Sequence, residues 1–207
     1  WLVLVLPFIE QKPLYDQFNF RQGYYADADK LRITVTAVPS IHCPSSASDV
    51  DRRSPTETYN NIRCFTSHYY GVLGPYGTNT YVTPNRAYGC VGPATQAFGP
   101  WSADGTMGGN VKVGTPYYPS SVAIADILDG TSNTLLLGEV AWAGFSMYRA
   151  FNRGYYYEDP ASGRGTLLLL ARTVRYPINL RSTTTWNDSP FGSNHPGGSQ
   201  FAMSDGS

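Results

Sequence analysis

Charged side chains are scarce in this chain. They make up 14% of the 207 residues, against roughly 25% in an ordinary soluble domain. The fifteen basic and fifteen acidic residues leave a formal net charge of zero, and no run of basic residues occurs. Because proteins that bind nucleic acid neutralise its phosphates with clustered Lys and Arg, the composition argues against a nucleic acid partner.

Long apolar runs are missing as well. The N-terminal run Trp1–Ile9 is nine residues long and contains Pro7, whereas a helix needs about 20 apolar residues to cross a bilayer. No charged segment precedes this run, so it does not form a complete signal peptide. We therefore expect a mature or truncated chain.

Cysteine is rare, and its count is odd. Cys43, Cys64 and Cys90 cannot all pair within one chain. One disulfide with one free thiol fits an oxidising compartment, and three thiols fit a reducing one. The sequence does not choose between these states or between the three pairings.

The sequence also lacks the local signatures of common enzyme classes. It contains no Gly-x-Ser-x-Gly elbow, no His-Glu-x-x-His zinc motif and no Gly-x-x-x-x-Gly-Lys-Ser/Thr phosphate loop. A hydrolase would have to assemble its site in space from Cys64 and His68, or around His195. We predict that the chain is not an enzyme.

Turn and strand formers are abundant instead. The chain holds 21 Gly, 15 Pro and 16 Tyr, a composition that favours turns and strands over helices. Residues 1–20 are compatible with helix, because apolar side chains recur at near-helical spacing. Residues 30–46 alternate in polarity and predict a strand, with a short helix as the alternative.

Further strands are predicted later in the chain. Apolar or alternating runs favour strands within 64–73, 134–140, 163–174 and 199–204. Residues 78–118 are rich in Gly, Pro and Tyr and predict a loop-rich insertion. The order of elements predicts one α+β domain over residues 1–207, with an antiparallel sheet and long irregular connections.

An acidic segment surrounds the Asp-Gly turn at residues 129–130. Its oxygen-bearing side chains are those that calcium prefers: Asp126, Asp129, Asn133 and Glu139. The same residues also stabilise tight turns through bonds to the backbone, without an ion. Calcium is thus a hypothesis here, and no other cofactor is indicated.

In the last fifteen residues, nine residues separate His195 from the Asp205-Gly206 pair. An extended strand of that length spans more than about 20 Å, at roughly 3.3 Å per residue. A direct His–Asp dyad would require the chain to fold back. We therefore predict that His195 fixes a loop and that Asp205 bonds within its own turn.

Tyrosines occur in adjacent groups. Such groups either cover a small core or form an interface, because Tyr is a rigid amphipathic contact residue. The sequence leaves both interpretations open for Tyr69, Tyr70, Tyr117, Tyr118, Tyr155, Tyr156 and Tyr157.

Five separated segments together resemble one known family. They are "WLVLVLPFIEQKPLYDQFNF" at the N-terminus, "PSIHCPS" from Pro39, "SHYYGVLGPYG" from Ser67, "DILDGTSNTLLLGE" from Asp126 and "HPGGSQFAMSDG" from His195. In this order they resemble the prepilin-like proteins abundant in planctomycete-type bacteria, a family without an assigned molecular function. Members begin with a prepilin cleavage and methylation segment on a long helix, and they continue beyond the Asp-Gly-Ser. Because the given sequence begins and ends inside this pattern, we expect it to be the interior of a longer protein.

The resemblance implies a pilin-like or pseudopilin-like fold, in which an N-terminal helix, partly missing here, packs on an antiparallel sheet. It implies export to the cell envelope or the exterior and a role as a filament or surface subunit whose partners are copies of itself. Membrane contact would occur only through the missing helix. Related pseudopilins bind calcium in a C-terminal loop. The alternative is a binding module whose Tyr-rich loops recognise carbohydrate or another envelope protein.

Overall fold

A computed structural model of the chain describes residues 1–21, 28–46, 48–89, 98–107, 122–142, 145–153, 155–157, 166–168, 170–181 and 185–207. The chain divides into two compact units. Unit 1 comprises Trp1–Tyr69 and Ala141–Gly154, and unit 2 comprises Tyr70–Val140 and Tyr155–Ser207.

Unit 1 begins with short helical segments. Helix α1 (Leu2–Val5) continues into a 3₁₀ helix (Leu6–Ile9), and α2 spans Lys12–Tyr15. Proline costs no hydrogen bond in the first turn of a helix, and both the 3₁₀ helix and α2 carry one there. The predicted helical start is confirmed, and its buried side chains are Leu2, Leu6, Leu14 and Phe18.

The strand predicted within residues 30–46 is wrong. Helix α3 spans Ala28–Ile33, and a 3₁₀ helix follows at Pro39–Ile41. Ala, Lys, Leu and Arg in α3 are good helix formers, and the Thr34 hydroxyl donates a 2.8 Å bond to the Leu31 carbonyl where the helix ends. The short-helix alternative therefore holds for the first part of this segment.

An antiparallel hairpin completes the regular structure of unit 1. After a 3₁₀ helix at Val50–Arg52, strand β1 (Arg53–Tyr59) pairs with β2 (Ile62–Phe65). Asn60 and Asn61 form the two-residue turn with φ of 49° and 63°. Positive φ at both positions is typical of the tight turn that matches strand twist, and Asn tolerates it well.

Unit 2 is built around a five-stranded sheet. The strand order is β10 (Gly192–Ser193), β6 (Leu135–Ala141), β3 (Tyr69–Pro75) and β9 (Ala171–Val174), and β11 (Phe201–Met203) pairs with β6. Strand β11 runs antiparallel to β6, but β9 runs parallel to β3. The chain is α+β as predicted, whereas the sheet is mixed and not purely antiparallel.

Two hairpins and two 3₁₀ turns accompany this sheet in unit 2. The hairpins are β4 (Gly77–Asn79) with β5 (Arg86–Tyr88) and β7 (Tyr155–Tyr157) with β8 (Thr166–Leu168). The 3₁₀ turns span Ile124–Asp126 and Thr131–Asn133. Among the described residues, no helix has both the length and the apolar character needed to span a bilayer.

Hydrogen bonds of backbone groups and side chains join irregular segments of unit 2 to β9 and to one another. The Thr173 amide donates to the Asn187 carbonyl (2.8 Å), and the Asn187 side chain donates to the Gly99 carbonyl (2.9 Å). The Ser102 amide donates to the Thr173 hydroxyl (3.0 Å). Leu73, Trp101 and Ala171 form the apolar cluster beside these bonds. Buried backbone groups thus find partners without further strands.

A close approach of two backbone segments in unit 2 requires glycine at position 105. The Gly105 amide donates a 2.8 Å bond to the Leu73 carbonyl, and a Cβ at position 105 would lie 2.4 Å from the Gly74 nitrogen and 2.5 Å from the Leu73 carbonyl carbon. Backbone atoms of a paired strand cannot move aside for that Cβ without breaking their hydrogen bonds.

We expect Gly105→Ala to lower the free energy of unfolding by about 1–3 kcal/mol, the usual cost of an overpacked buried site. Urea denaturation measures the change. Gly197→Ala is the matched control, because a Cβ there meets nothing within 4 Å, and it should stay within about 0.5 kcal/mol of the parent chain. Equal stability of the two variants would contradict the close approach.

Candidate functional site

Strand β6 carries one charged residue, Glu139, and buries it completely. Its Oε2 accepts a 3.0 Å bond from the Gln200 amide. Its backbone bonds the same segment, because the amide donates to the Gln200 carbonyl (2.9 Å) and the carbonyl accepts from the Ser199 hydroxyl (3.0 Å). A buried carboxylate is costly unless it is hydrogen-bonded or paired, and these contacts meet part of that requirement.

The remaining carboxylate oxygen of Glu139 faces His195. His195 Nε2 lies 3.4 Å from Glu139 Oε1, and the imidazole is 30% exposed. The Ser193 hydroxyl holds the turn, because it accepts from the His195 amide (2.9 Å) and donates to the Gly198 carbonyl (3.0 Å). The imidazole thus lies beside the buried carboxylate, and the bonds of Ser199 and Gln200 join the terminal segment to β6.

Glycine at position 138 makes room beside Glu139. The rings of Phe191 and Phe201 pack 5.2 Å apart, and a Cβ on Gly138 would lie 2.5 Å from one ring and 2.6 Å from the other. The Gly-Glu pair in β6 therefore serves two contacts at once. Gly138 admits the two rings, and Glu139 anchors the segment that carries Phe201.

Asp205 does not join His195. Its Oδ1 accepts bonds from the Ser207 amide (3.0 Å) and the Ser207 hydroxyl (2.8 Å), and these bonds lower the pKa of the Asp205 carboxyl. Gly206 has a φ of 92°, a conformation that favours glycine. The Asp-Gly pair forms a turn with its own bonds, as expected for such a sequence.

The four residues of the calcium hypothesis are not brought together, because the Glu139 carboxylate lies with His195 and Gln200. Asp126 Oδ2 accepts from the Ala123 amide (3.0 Å), and the Asn133 side chain donates to the Asp129 carbonyl (3.0 Å). Within the described residues, the carboxylates of Asp126, Asp129 and Glu139 do not form a group within 4.8 Å of one another. These contacts are turn chemistry, and they do not build the set of six to eight oxygens that calcium takes.

An open pocket of about 350 Å³ lies beside this turn in unit 2. Three carboxylates line it, from Asp104, Asp126 and Asp129, together with the hydroxyl-bearing residues Thr106 and Thr134. Asp104 was not among the residues predicted from the sequence, because it lies far from the Asp-Gly turn along the chain and only the fold brings it near.

Two histidines meet in unit 1. His42 and His68 are buried, and their ring centroids lie 5.2 Å apart in an edge-on arrangement. His42 Nε2 bonds the Thr66 carbonyl (2.9 Å). Both ring nitrogens of His68 bond backbone, with Nδ1 3.0 Å from the Cys43 amide nitrogen and Nε2 2.9 Å from the Asp51 carbonyl. The pair thus bridges segments that are distant in sequence.

Cys43 and Cys64 are buried and do not form a disulfide with each other. The Cys64 Sγ lies 3.8 Å from the Leu31 carbonyl oxygen, and burial raises the pKa of the Cys64 thiol. Cys90 lies outside the described residues. A hydrolase pair of Cys64 and His68 gains no support, since backbone groups occupy both nitrogens of that imidazole.

The tyrosine interface prediction needs correction at one position. Tyr70 is fully buried, with the guanidinium carbon of Arg172 at 4.3 Å from its ring centroid, so it serves the interior of unit 2. Tyr69 is half-buried. Tyr117 and Tyr118 lie outside the described residues, and Tyr155, Tyr156 and Tyr157 form β7 with side chains that are not described.

Sequence reasoning selected Glu139 and His195 but assigned them to different sites. One signal indicates that Glu139 needs a polar partner, because a single carboxylate in the apolar run "LLLGEVAW" must be buried, but it does not identify His195 as that partner. The His42–His68 pair was missed. Nothing in its spacing marks it, since the two residues meet only after a helix, a 3₁₀ turn and a hairpin have folded.

Comparison with known proteins identifies one family. The model of the family described as "Protein of unknown function (DUF1559)" matches residues 1–160, which includes the "DILDGTSNTLLLGE" segment and ends before His195. No curated protein matches the chain, and no solved structure does.

We expect a double-mutant cycle of Glu139→Gln and His195→Gln to show a coupling of about 0.5–3 kcal/mol, the range for residues in direct contact. Urea unfolding of the four chains measures it. The matched cycle of His195→Gln with Asp205→Asn should give a coupling below about 0.5 kcal/mol. A larger coupling in the second cycle than in the first would show that the imidazole acts with Asp205 instead.

Proposed function

This chain belongs to the family of proteins of unknown function designated DUF1559, and from that premise we propose that it is an exported, pilin-like subunit that acts by associating with copies of itself. The proposal places it in the cell envelope or outside the cell, as part of a filament or another surface assembly. One observation carries it, which is the apolar outer face of the N-terminal helical run.

The helical run Leu2–Ile9 is apolar all round. Leu2 and Leu6 are one helical turn apart and buried, with 3% and 0% of their surface exposed. Leu4 and Phe8 are also one turn apart, on another side of the run, and they are 58% and 85% exposed. Residues four apart share a helix face. We call Leu4 and Phe8 the outer face.

A helix that is apolar on every side is normally covered on every side. Fully burying a Leu or Phe side chain contributes roughly 1.5–3 kcal/mol, so an exposed pair of this kind favours association. Because each subunit would contribute the same outer face, repeated contacts between N-terminal helical runs could hold an assembly together. This supports self-association over a function exercised by a single copy.

A second candidate function rests on the β4–β5 hairpin. Tyr81, in the loop between these strands, is 99% exposed, and Arg86 lies 5.0 Å over the ring of Tyr88 at its base. An exposed aromatic ring can recognise a flat sugar face or a protein partner. The alternative is therefore a binding module for carbohydrate or an envelope protein.

We expect Leu4→Gln combined with Phe8→Gln to prevent assembly, because two polar amides would have to be buried in the contact. The test uses the exported protein as its cells produce it, with sedimentation velocity and electron micrographs as measurements. Leu128→Gln is the matched control, since Leu128 is 92% exposed and lies in unit 2. It should assemble like the parent protein.

Two results would contradict the proposal. One is a parent protein that stays monomeric at every concentration, and the other is an outer-face variant that assembles as well as the parent. The second candidate has its own readout, because Tyr81→Ala should abolish retention on a glycan array without changing assembly.

A further inference from the structure

The hydrogen bonds of His68 define its protonation state. A backbone amide only donates and a backbone carbonyl only accepts. Nδ1 therefore accepts from the Cys43 amide at 3.0 Å, and Nε2 carries the proton that is donated to the Asp51 carbonyl at 2.9 Å. Only a neutral imidazole can make both bonds, since a protonated ring donates from both nitrogens.

His42 is also buried away from solvent. It is 8% exposed, its Nε2 donates to the Thr66 carbonyl at 2.9 Å, and the Phe65 ring lies 5.7 Å away. Burial lowers the pKa of His42 to about 4, and the neighbouring His68 lowers it as the next cause.

Two charged side chains in the described part of the chain act on His42. Arg52 acts against a proton on His42, whereas Asp49 and the Thr66 carbonyl favour one, and all three effects are smaller than those of burial and His68. The Tyr148 ring packs 5.4 Å from the ring of His68.

The two imidazoles connect three segments of unit 1. His42 and Cys43 follow the 3₁₀ helix Pro39–Ile41, Asp51 lies in the 3₁₀ helix Val50–Arg52, and Thr66 and His68 lie between β2 and β3. Backbone hydrogen bonds join the same segments. The His68 amide donates to the Ile41 carbonyl (2.9 Å), and the Thr66 amide donates to the Arg52 carbonyl (2.9 Å).

We propose that the His42–His68 pair is an acid-sensitive latch, which holds residues 39–52 against the connection between β2 and β3 at neutral pH and releases them when an imidazole takes up a proton. The inference is independent of self-association. It assigns unit 1 a conformational response to the acidity of its surroundings.

The proton comes from solvent and has two acceptors. On His68 it adds to Nδ1, which then has no lone pair to accept the Cys43 amide, so that bond breaks. On His42 it creates a cation beside a second imidazole and Arg52. Either event replaces a bonded neutral group with a buried charge, and opening the segment returns that charge to water.

The direction of the pH dependence follows from His42. Its pKa is about 4 in the closed form and about 6.5 in an open, solvated chain, so the open form binds the proton first as the pH falls. Well above pH 6.5, His42 is neutral in both forms and the equilibrium constant for opening does not depend on its protonation. Below that pH, the equilibrium constant for opening rises up to tenfold for each pH unit until about pH 4.

Amide hydrogen exchange of the 207-residue chain tests the latch. Protection factors of the Cys43 and His68 amides should fall at least tenfold between pH 7 and pH 5, after correction for intrinsic exchange. The Thr173 amide in unit 2, which bonds the Asn187 carbonyl, is the internal reference and should change far less.

Because the chain has three histidines, variants show which of them cause the pH dependence of amide protection. A Gln amide offers one acceptor and one donor, like a neutral imidazole, but does not titrate. His42→Gln combined with His68→Gln should therefore remove the pH dependence, whereas His195→Gln should keep it. Loss of the pH dependence in His195→Gln, or its persistence in the double variant, would overturn the proposal.

A measurement on the parent chain avoids reliance on a folded double variant. Imidazole carbon-bound proton signals, followed by NMR from pH 7.5 to pH 4, should show His42 protonation together with loss of Cys43 and His68 amide protection. Titration of His42 near pH 6.5 with those amides still protected would refute the latch.

Discussion

Buried hydrogen-bonding side chains are the constraint on which both units depend. The longest described strands have seven residues, so interior backbone outside the strands and helices must bond other irregular segments or side chains. Asn187 meets this need beside β9, Glu139 meets it for the terminal segment, and His68 meets it in unit 1. Each of these side chains is fully buried, so loss of any one would leave backbone groups without partners in a dry interior.

Sequence patterns predicted the elements whose side chains carry the signal. A nearly continuous apolar run predicted β6, an alternation of apolar and polar residues predicted β11, and the spacing of leucines predicted the helical start. Strand β1 was not predicted, because "RSPTETY" is polar and contains Pro55. It pairs with β2 because the Asn60-Asn61 turn reverses the direction of the chain. The parallel pairing of Gly71 with Ala171 and the Glu139–His195 contact join distant positions, and local patterns carry no information on such pairs.

The proposed function depends on the N-terminal helical run. Its inner side chains anchor it in unit 1, and Leu4 and Phe8 remain outside. The same apolar sequence that would indicate a core helix therefore supports an interface, because one chain buries only part of it. The buried polar contacts serve a different purpose, since they join irregular segments within each unit. The proposed latch makes such contacts in unit 1 sensitive to acidity.

Electron cryo-microscopy of native cell envelopes tests the self-association account most directly. With the chain located by a specific antibody, the account predicts a regular polymer at the cell surface, in which the Leu4 and Phe8 side chains are buried between neighbouring copies. Dispersed single copies, or a polymer in which both side chains remain in water, would contradict it.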